Sequence, residues 1–298
     1  MKPDDKPLVS ILIANFNNGT FIEETLRSAV SQTYPNVEII VVDDASSDSS
    51  VEVIEKFIKT HPNANIKLFK NELTYGCGGN KRKCIDLAVG SFFAFLDPED
   101  TIEPEAISEL MHIHLQNPLK YSIVYSTHYL CNENLEIKTI SDWPGEIPEG
   151  HSHLTSTHGH ISAFAVCNKQ FYNQTSGINP KYIVAEDMDL YLKMEEVAPV
   201  YFVNKALYYY RKHDHNLSWN YNLRYRNLYW RHQAEKEAYR RRKKNNTIAN
   251  NLSFIQWHQR EFAFNMQYAK WYRMQKKQIK AFGYNIKALV YAYIFLIK

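Results

Sequence analysis

The sequence predicts an α/β fold, with a mostly parallel central sheet flanked by helices and a helical C-terminal extension. Three observations predict it. Apolar runs of strand length alternate with segments of helical period over the first hundred residues, as a parallel sheet requires. Two of those runs end in carboxylates: Asp43, Asp44 and Asp48 follow Val37–Val42, and Asp97, Glu99 and Asp100 follow Ser91–Leu96. Open parallel sheets place their ligands at the carboxyl ends of strands. Charge then divides the chain: residues 1–210 carry 16 Lys and Arg against 28 Asp and Glu, whereas residues 211–298 carry 19 against 4. With 298 residues, 45% of them hydrophobic, the chain can build one sizeable domain, placed at 1–219, and a basic, aromatic-rich appendage, placed at 220–298.

Leu8 to Ala14 reads as a buried strand, and Thr20 with Glu23 supplies a capping box for a helix to about Gln32. Val37 to Val42 is the second strand, and Ile66 to Phe69 the third. Between them Ser46 to Asp48 cap a helix with apolar positions Val51, Ile54 and Ile58. The glycines of Tyr75-Gly76-Cys77-Gly78-Gly79 permit close backbone approach, and Asn80, Lys81, Arg82 and Lys83 follow on an incipient helix. That segment is either a phosphate cradle or an ordinary turn with a solvated basic face. Ser91 to Leu96 is a strand, Pro104 opens a helix to about Gln116, and Ser122 to Tyr129 is a strand. Residues 131–160, rich in Pro, Gly, His and Ser, suit a long loop over the open sheet face, where a second substrate is often held. A helix begins at Ala185, and Val200 to Val203 and Ala206 to Tyr210 form two short strands.

From Asn220 the pattern is helical, with Ile255, Phe262, Met266 and Ala269 on one face and Arg260, Lys270, Arg273, Lys276 and Lys277 largely elsewhere. Ala288 to Ile297 is apolar, but a membrane span needs about 20 such residues, so this end does not cross a bilayer. Trp271, Tyr272, Tyr284, Tyr291 and Tyr293 suit headgroup depth. The basic tail therefore points to an anionic membrane surface or nucleic acid, or to a helical face docked on the acidic domain or on a second subunit in a homodimer. Cys77, Cys84, Cys131 and Cys167 form no CxxC pair, and the N-terminus has no apolar signal stretch, which reads as a reducing, cytoplasmic setting.

Five motifs stand in order: VSILIANFNN with SAVSQTYPNVEIIVVDDASSD, a GxGG-to-AxG segment ending at Gly90, FLDPED, AEDMDLYLKM and YYYRKHDHNLS. Together, from about Leu8 to Leu217, they resemble the family 2 glycosyltransferases of the GT-A fold. The resemblance implies an inverting enzyme that moves a sugar from a nucleotide-diphosphate sugar, a UDP-sugar favoured, to an acceptor hydroxyl. The product would be a surface polysaccharide or lipid-linked glycan made on the inner face of the plasma membrane. By the same likeness Asp97 and Glu99 occupy the family's Asp-x-Asp element. Glu99, one methylene longer than the usual aspartate, takes the metal-binding role, with His213 or its competitor His215 nearby. Ala14, Phe16 and Asp44 face the nucleoside, with Phe16 stacked on the base. Lys81 or Arg82, where the family often has Ala-Arg-Asn, meets the diphosphate together with Arg211. Asp187 is the catalytic base, and Glu186 and His160 stand on the acceptor side.

The chemistry needs these residue types. A departing nucleoside diphosphate develops negative charge, which Mn²⁺ or Mg²⁺ held by hard oxygen ligands neutralises. An acceptor hydroxyl needs a base at neutral pH, and in-line attack inverts the anomeric carbon. Blander readings compete: Asp97 as a turn former before Pro98, Phe16 as a core aromatic, Asp44 as a helix-capping turn, and Glu186 and Asp187 as an acidic first helical turn. His151, His153, His158 and His160 lack both a cysteine partner and finger spacing, and read as a hydrogen-bonding loop rather than a zinc site. The alternative of a different class is a non-catalytic nucleotide-binding module whose basic tail binds nucleic acid or a membrane; nucleic acid is the less favoured partner. Nucleotidyl transfer would want a glycine-rich signature after the first strand, where Asn15-Phe16-Asn17-Asn18-Gly19 stands.

Overall fold

The computed structural model describes residues 6–157, 160–213, 216, 224–245 and 251–296. The chain alternates β1 (Val9–Asn15), α1 (Ile22–Val30), β2 (Val37–Asp43), α2 (Ser50–Thr60), β3 (Ile66–Lys70), α3 (Gly76–Leu87) and β4 (Phe92–Phe95). There follow β5 (Thr101–Ile102), α4 (Ala106–Gln116), β6 (Ile123–Cys131), β7 (Ile137–Ile140), β8 (Ala165–Asn168) and the four-residue α5 (Lys169–Tyr172). The chain continues with α6 (Glu186–Glu195), β9 (Val200–Arg211) and the helices α7 (Arg224–Lys244), α8 (Phe254–Met274) and α9 (Gln278–Leu296).

The strands form one sheet in the order β3-β2-β1-β4-β8-β6-β9-β5, with β7 paired to β6. β3, β2, β1 and β4 are parallel, as expected. β8 then runs antiparallel to both β4 and β6, so the second half is mixed. β1 and β2 are apolar on both faces because both are covered. Val9, Ile11, Ile13, Ile39 and Val41 pack with α1, α2 and α4, while Leu12, Ile40 and Val42 pack with α3 and α6. Parallel pairing brings the ends of β1, β2 and β4 to one edge, which puts Asp43 and Asp44 on the same side as Asp97 and Glu99.

Several local expectations are corrected. Thr20 and Glu23 form no capping box: α1 starts at Ile22, its first turn closed by the Phe21 and Ile22 amides on the Asn18 carbonyl, while Glu23 pairs with Arg27 at 2.5 Å. The two strands expected between 200 and 210 are one, β9, whose register on β6 shifts around Thr127 and so absorbs the break in the apolar pattern. The expected loop 131–160 contains β7, a short exposed strand hairpinned on β6. α8 buries Trp257, Glu261, Phe264, Asn265, Tyr268 and Ala269, leaving Ile255 and Met266 exposed. Its inner face is an aromatic stripe closed by an ion cluster of Glu261 with His232 (3.4 Å) and Lys236 (3.1 Å), a polar core that hydrophobic periodicity does not see.

The basic tail docks on the acidic domain. Arg242, 2% exposed, pairs with Glu195 at 2.5 Å and Glu196 at 3.1 Å, and Arg241 reaches Glu196 at 2.8 Å. Leu154, Met188 and Leu192 pack there with Ala234, Ala238 and Trp257. Trp271, Tyr272 and Tyr284, expected at headgroup depth, stack instead with Tyr225, Tyr268 and one another. The boundary near 219, together with His158 and His215, lies outside the described residues.

His114 on α4 is 3% exposed, donates from Nε2 to the Val166 carbonyl at 3.1 Å, and is held neutral, its pKa pushed down to about 4 by burial. Burial lowers His128 and His153 in the same direction. A histidine depressed in the fold binds its proton more readily unfolded, so stability is full above the unfolded value of about 6.5 and is lost as pH falls towards the folded one. Between pH 7 and 4 His114→Gln, which keeps the hydrogen bond but does not titrate, should lose about 3 kcal/mol less stability than the wild type by urea denaturation. Equal losses would show that His114 is not the titrating group.

Candidate active site

The carboxyl edge of the sheet opens into a cleft of about 1290 Å³. Ala14 and Phe16 line it after β1, Asp44 after β2, Lys81 from α3, Asp97 and Glu99 after β4, Glu186 and Asp187 from α6, and His213 after β9. Arg82, Arg211 and His160 are not on its wall.

The acidic loop after β4 divides its carboxylates between cleft and core. Asp100 points inward, 1% exposed, accepting the Tyr208 hydroxyl at 2.6 Å and the Arg211 amide at 2.7 Å. Burial, with repulsion from Asp97 and Glu99, pushes its pKa well above the usual range, and its two hydrogen bonds anchor the loop. Arg211, 2% exposed, braces the same loop from behind: its Nε donates to the Glu99 carbonyl at 2.6 Å, and its guanidinium meets Glu24 and the Phe21 ring. Arg211, expected at the diphosphate, thus lies off the cleft wall with its guanidinium on Glu24 and on the Glu99 and Glu133 carbonyls. Arg82 likewise lies off the cleft, on Asp86 and on the carbonyls of Ser176 and Ile178.

Glu99 faces the cleft. Asn216 donates to its Oε1 at 2.7 Å and His213 Nε2 lies 3.6 Å from the same oxygen. Burial first, then Asp97, pushes Glu99 up to about 7. A carboxylate beside an imidazole suits Mn²⁺ or Mg²⁺, which take few protein ligands when phosphate oxygens and water complete the shell. Among the described residues no three His, Cys, Asp or Glu side chains converge into a cage. Asp97 meets Lys81 at 3.1 Å.

Lys81 is the hub. Its ammonium, 9% exposed, also meets Glu186 at 2.8 Å and lies 5.2 Å from the centre of the Phe95 ring. Burial alone would lower it, but Asp97 and Glu186 lift it well above the usual lysine range, and it holds Glu186 below the usual carboxylate range in return. Asp187, next along α6, keeps its carboxylate open to the cleft while accepting the Met188 amide at 2.7 Å. The protein packed around it, then Glu186, pushes it up to about 6, although water still reaches it.

Asp44 is 2% exposed and caps the glycine-rich turn: Oδ1 accepts the Tyr75 amide and Oδ2 the Gly76 amide, at 2.8 and 2.9 Å. This makes α3 start at Gly76, at φ +74°, and aims Lys81 into the cleft. Phe16, 49% exposed, stands at the cleft mouth, free to stack on a planar ligand. His160 stacks on Trp143 with ring centres 4.1 Å apart. Trp143, Cys77 and Asn216 were given no role by sequence reasoning; Cys77 sat inside the GxGG segment and Asn216 inside YYYRKHDHNLS, while Trp143 sat in no recognised motif.

Comparison with known proteins gives this geometry a family. The chain is 30% identical over 213 residues to a chondroitin synthase of Escherichia coli, an alignment that covers 71% of this chain and 30% of that protein. It is 35% identical over 143 residues to the E. coli UDP-Glc:alpha-D-GlcNAc-diphosphoundecaprenol beta-1,3-glucosyltransferase WfaP, covering 48% of this chain and 54% of the other. The chain thus spans under a third of the first relative and about half of the second. Among solved structures, S. aureus TarS 1-349 in complex with UDP-GlcNAc superposes with a TM-score of 0.62 at 17% identity, covering 94% of this chain and 90% of that one. The mannosyltransferase PcManGT from Pyrobaculum calidifontis in complex with GDP-Man and Mn²⁺ gives 0.59 at 14%, covering 97% and 87%. At those identities the likeness speaks for the fold, which is GT-A. A model described as Glycosyl transferase family 2 matches residues 10–175, more than half of the chain, and the protein belongs to that family.

Proposed function

We propose that this chain is an inverting glycosyltransferase that moves a sugar from a nucleotide-diphosphate sugar, UDP-linked by preference, to an acceptor hydroxyl in polysaccharide or glycan synthesis. The observation that carries the reading is a single cleft in which Glu99 and Asp187 are joined through Asp97, Lys81 and Glu186. Phe16 receives the base, and the rim near Ala14 and Asp44 the nucleoside. A Mn²⁺ or Mg²⁺ held by Glu99 and His213, with Asp97 turned in from Lys81, would offset charge on the leaving diphosphate. Lys81 stands beside Asp97, 3.1 Å away. Asp187 takes the proton of the attacking hydroxyl on the side opposite the diphosphate, while Glu186, held as an anion by Lys81, stays out of proton exchange.

The reading extends to where the enzyme works. α9 presents Ile279, Phe282, Ile286, Leu289 and Tyr293 as an exposed row at helical spacing, while Ala281 and Ala288 are buried on its other side. It carries Lys280 and Lys287 and no acidic residue. No helix among the described residues is long and apolar enough to cross a membrane. An amphipathic cationic helix of this kind lies in the plane of an anionic lipid surface, which would bring a lipid-linked acceptor to the enzyme.

Four outcomes test these proposals. Asp187→Asn should leave UDP–Mn²⁺ affinity within about twofold of wild type in calorimetry while cutting transfer by about 10²- to 10⁴-fold, and full activity would remove Asp187 from the reaction. As Asp187 must be ionised to accept a proton and titrates near 6, turnover at saturating substrate should fall about tenfold per pH unit below 6. EDTA should abolish turnover and Mn²⁺ restore it; indifference to chelation would refute the metal site. Phe282→Asp with Leu289→Asp should lose sedimentation with vesicles rich in phosphatidylserine, and unchanged sedimentation would leave α9 with another role.

A further inference from the structure

Part of the cleft wall is built by the C-terminal helices, where Tyr225 and Arg231 of α7 and Gln267, Lys270 and Met274 of α8 line it together with Trp143 on the loop after β7. The acidic lining residues (Asp44, Asp97, Glu99, Glu186 and Asp187) all come from the sheet edge and from α6. The cleft lining thus joins carboxylates of the catalytic domain to two cations, Arg231 and Lys270, of the C-terminal helices. Among the described residues neither Arg231 nor Lys270 is paired with a carboxylate. The Arg231 guanidinium instead lies over the Trp143 ring, 5.3 Å from its centre, and Trp143 stacks with His160.

Trp143 is held, not loose. Ser141 before it donates its amide to the His128 carbonyl at 2.9 Å and accepts the Thr127 hydroxyl at its own carbonyl at 2.9 Å. Gly145 after it accepts the Tyr125 hydroxyl at 2.6 Å. α7 is fixed from the other side by the buried Arg242 and its glutamates. A guanidinium over an aromatic face keeps its N–H donors in its own plane and pointing outward, free to take a carboxylate or phosphate in a forked pair.

We infer that Arg231, positioned by Trp143 and supported by Lys270, is an anion subsite for the acceptor, so the enzyme selects a sugar bearing an acidic group. The acid is a carboxylate on the glycan or a phosphate on the acceptor's first sugar; both offer the oxygen pair that a guanidinium fork takes. The inference deepens the glycosyltransferase reading and rests on it.

The test uses the full chain saturated with UDP and Mn²⁺, and UDP–Mn²⁺ binding is recorded first; absence of that binding would refute the parent reading rather than this one. Two matched pairs are titrated by saturation-transfer NMR: a disaccharide ending in glucuronic acid against its glucose counterpart, and N-acetylglucosamine 1-phosphate against N-acetylglucosamine. The expected result is that the acidic member of one pair binds about tenfold more tightly than its neutral match. Which pair shows it identifies the source of the acid. That preference should collapse in Arg231→Gln and in Trp143→Ala, return in Trp143→Phe, and persist in Arg240→Gln, a control exposed on the same helix but off this cleft. No preference in either pair, a preference that survives Arg231→Gln, or one equally weakened by Arg240→Gln would overturn the proposal.

Discussion

One buried ammonium holds the two acidic halves of this site together. Lys81 comes from a helix whose start is set by Asp44, and it reaches a loop carboxylate after β4 and a helix carboxylate on α6 that are 89 residues apart in sequence. Glu186 is almost fully buried, and a carboxylate so placed is tolerated only with a partner. Take the ammonium away and the start of α6 loses its reason to sit against the β4 loop. Asp187 is carried on that same first turn, so the distance between the proposed base and the diphosphate end of the cleft depends on an ion pair in which Asp187 takes no part.

The second constraint is the bracing of the acidic loop from the far side of the sheet. β9 lies beside β6 and delivers Tyr208 and Arg211 to Asp100, and the same segment continues to His213 and Asn216, which meet Glu99. A motif that looks in sequence like one unit therefore does two jobs: its strand part fixes the loop backbone, and its continuation faces the cleft. Glu99, with one methylene more than an aspartate, reaches the Asn216 amide, and the longer reach is what brings it within 3.6 Å of His213.

What was legible in the sequence follows from how local the cause is. β1, β2 and β4 are apolar on two faces and end in carboxylates, and both signals lie within a few residues of each other, so strands, order and the acidic edge could be read directly. Lys81, Asp97, Glu99, Glu186 and Asp187 were found because each sits in a short motif. Their partners were not, since no local pattern tells Arg211 to turn to Glu99 and Glu24, or Lys81 to pair with Asp97 and Glu186. The tail's partner stayed open for the same reason. Net charge fitted either an external anion or a face docked on the acidic domain, and the structure shows docking: Arg241 and Arg242 meet Glu195 and Glu196, Lys236 meets Glu261, and most of the tail's described aromatic residues pack on each other. β7 escaped notice because all four of its residues are exposed and leave no apolar period to read.

Docking of α7 and α8 changes what the catalytic sheet alone could do. A sheet edge with five carboxylates around its cleft disfavours an anion that lacks a cation of its own, which fits the proposed diphosphate delivered with a divalent ion. The helices add the missing sign, since Arg231 and Lys270 lie on faces of α7 and α8 that the buried Arg242 and the aromatic stack leave turned towards the cleft. The basic excess of residues 211–298 thus has three separate outlets: internal ion pairs that dock the helices, two cations in the cleft wall, and lysines beside the apolar row of α9. Because the first of these creates the geometry of the second, the Arg242 pairs with Glu195 and Glu196 tie the Arg231 side of the cleft to α6, the helix that also carries Glu186 and Asp187.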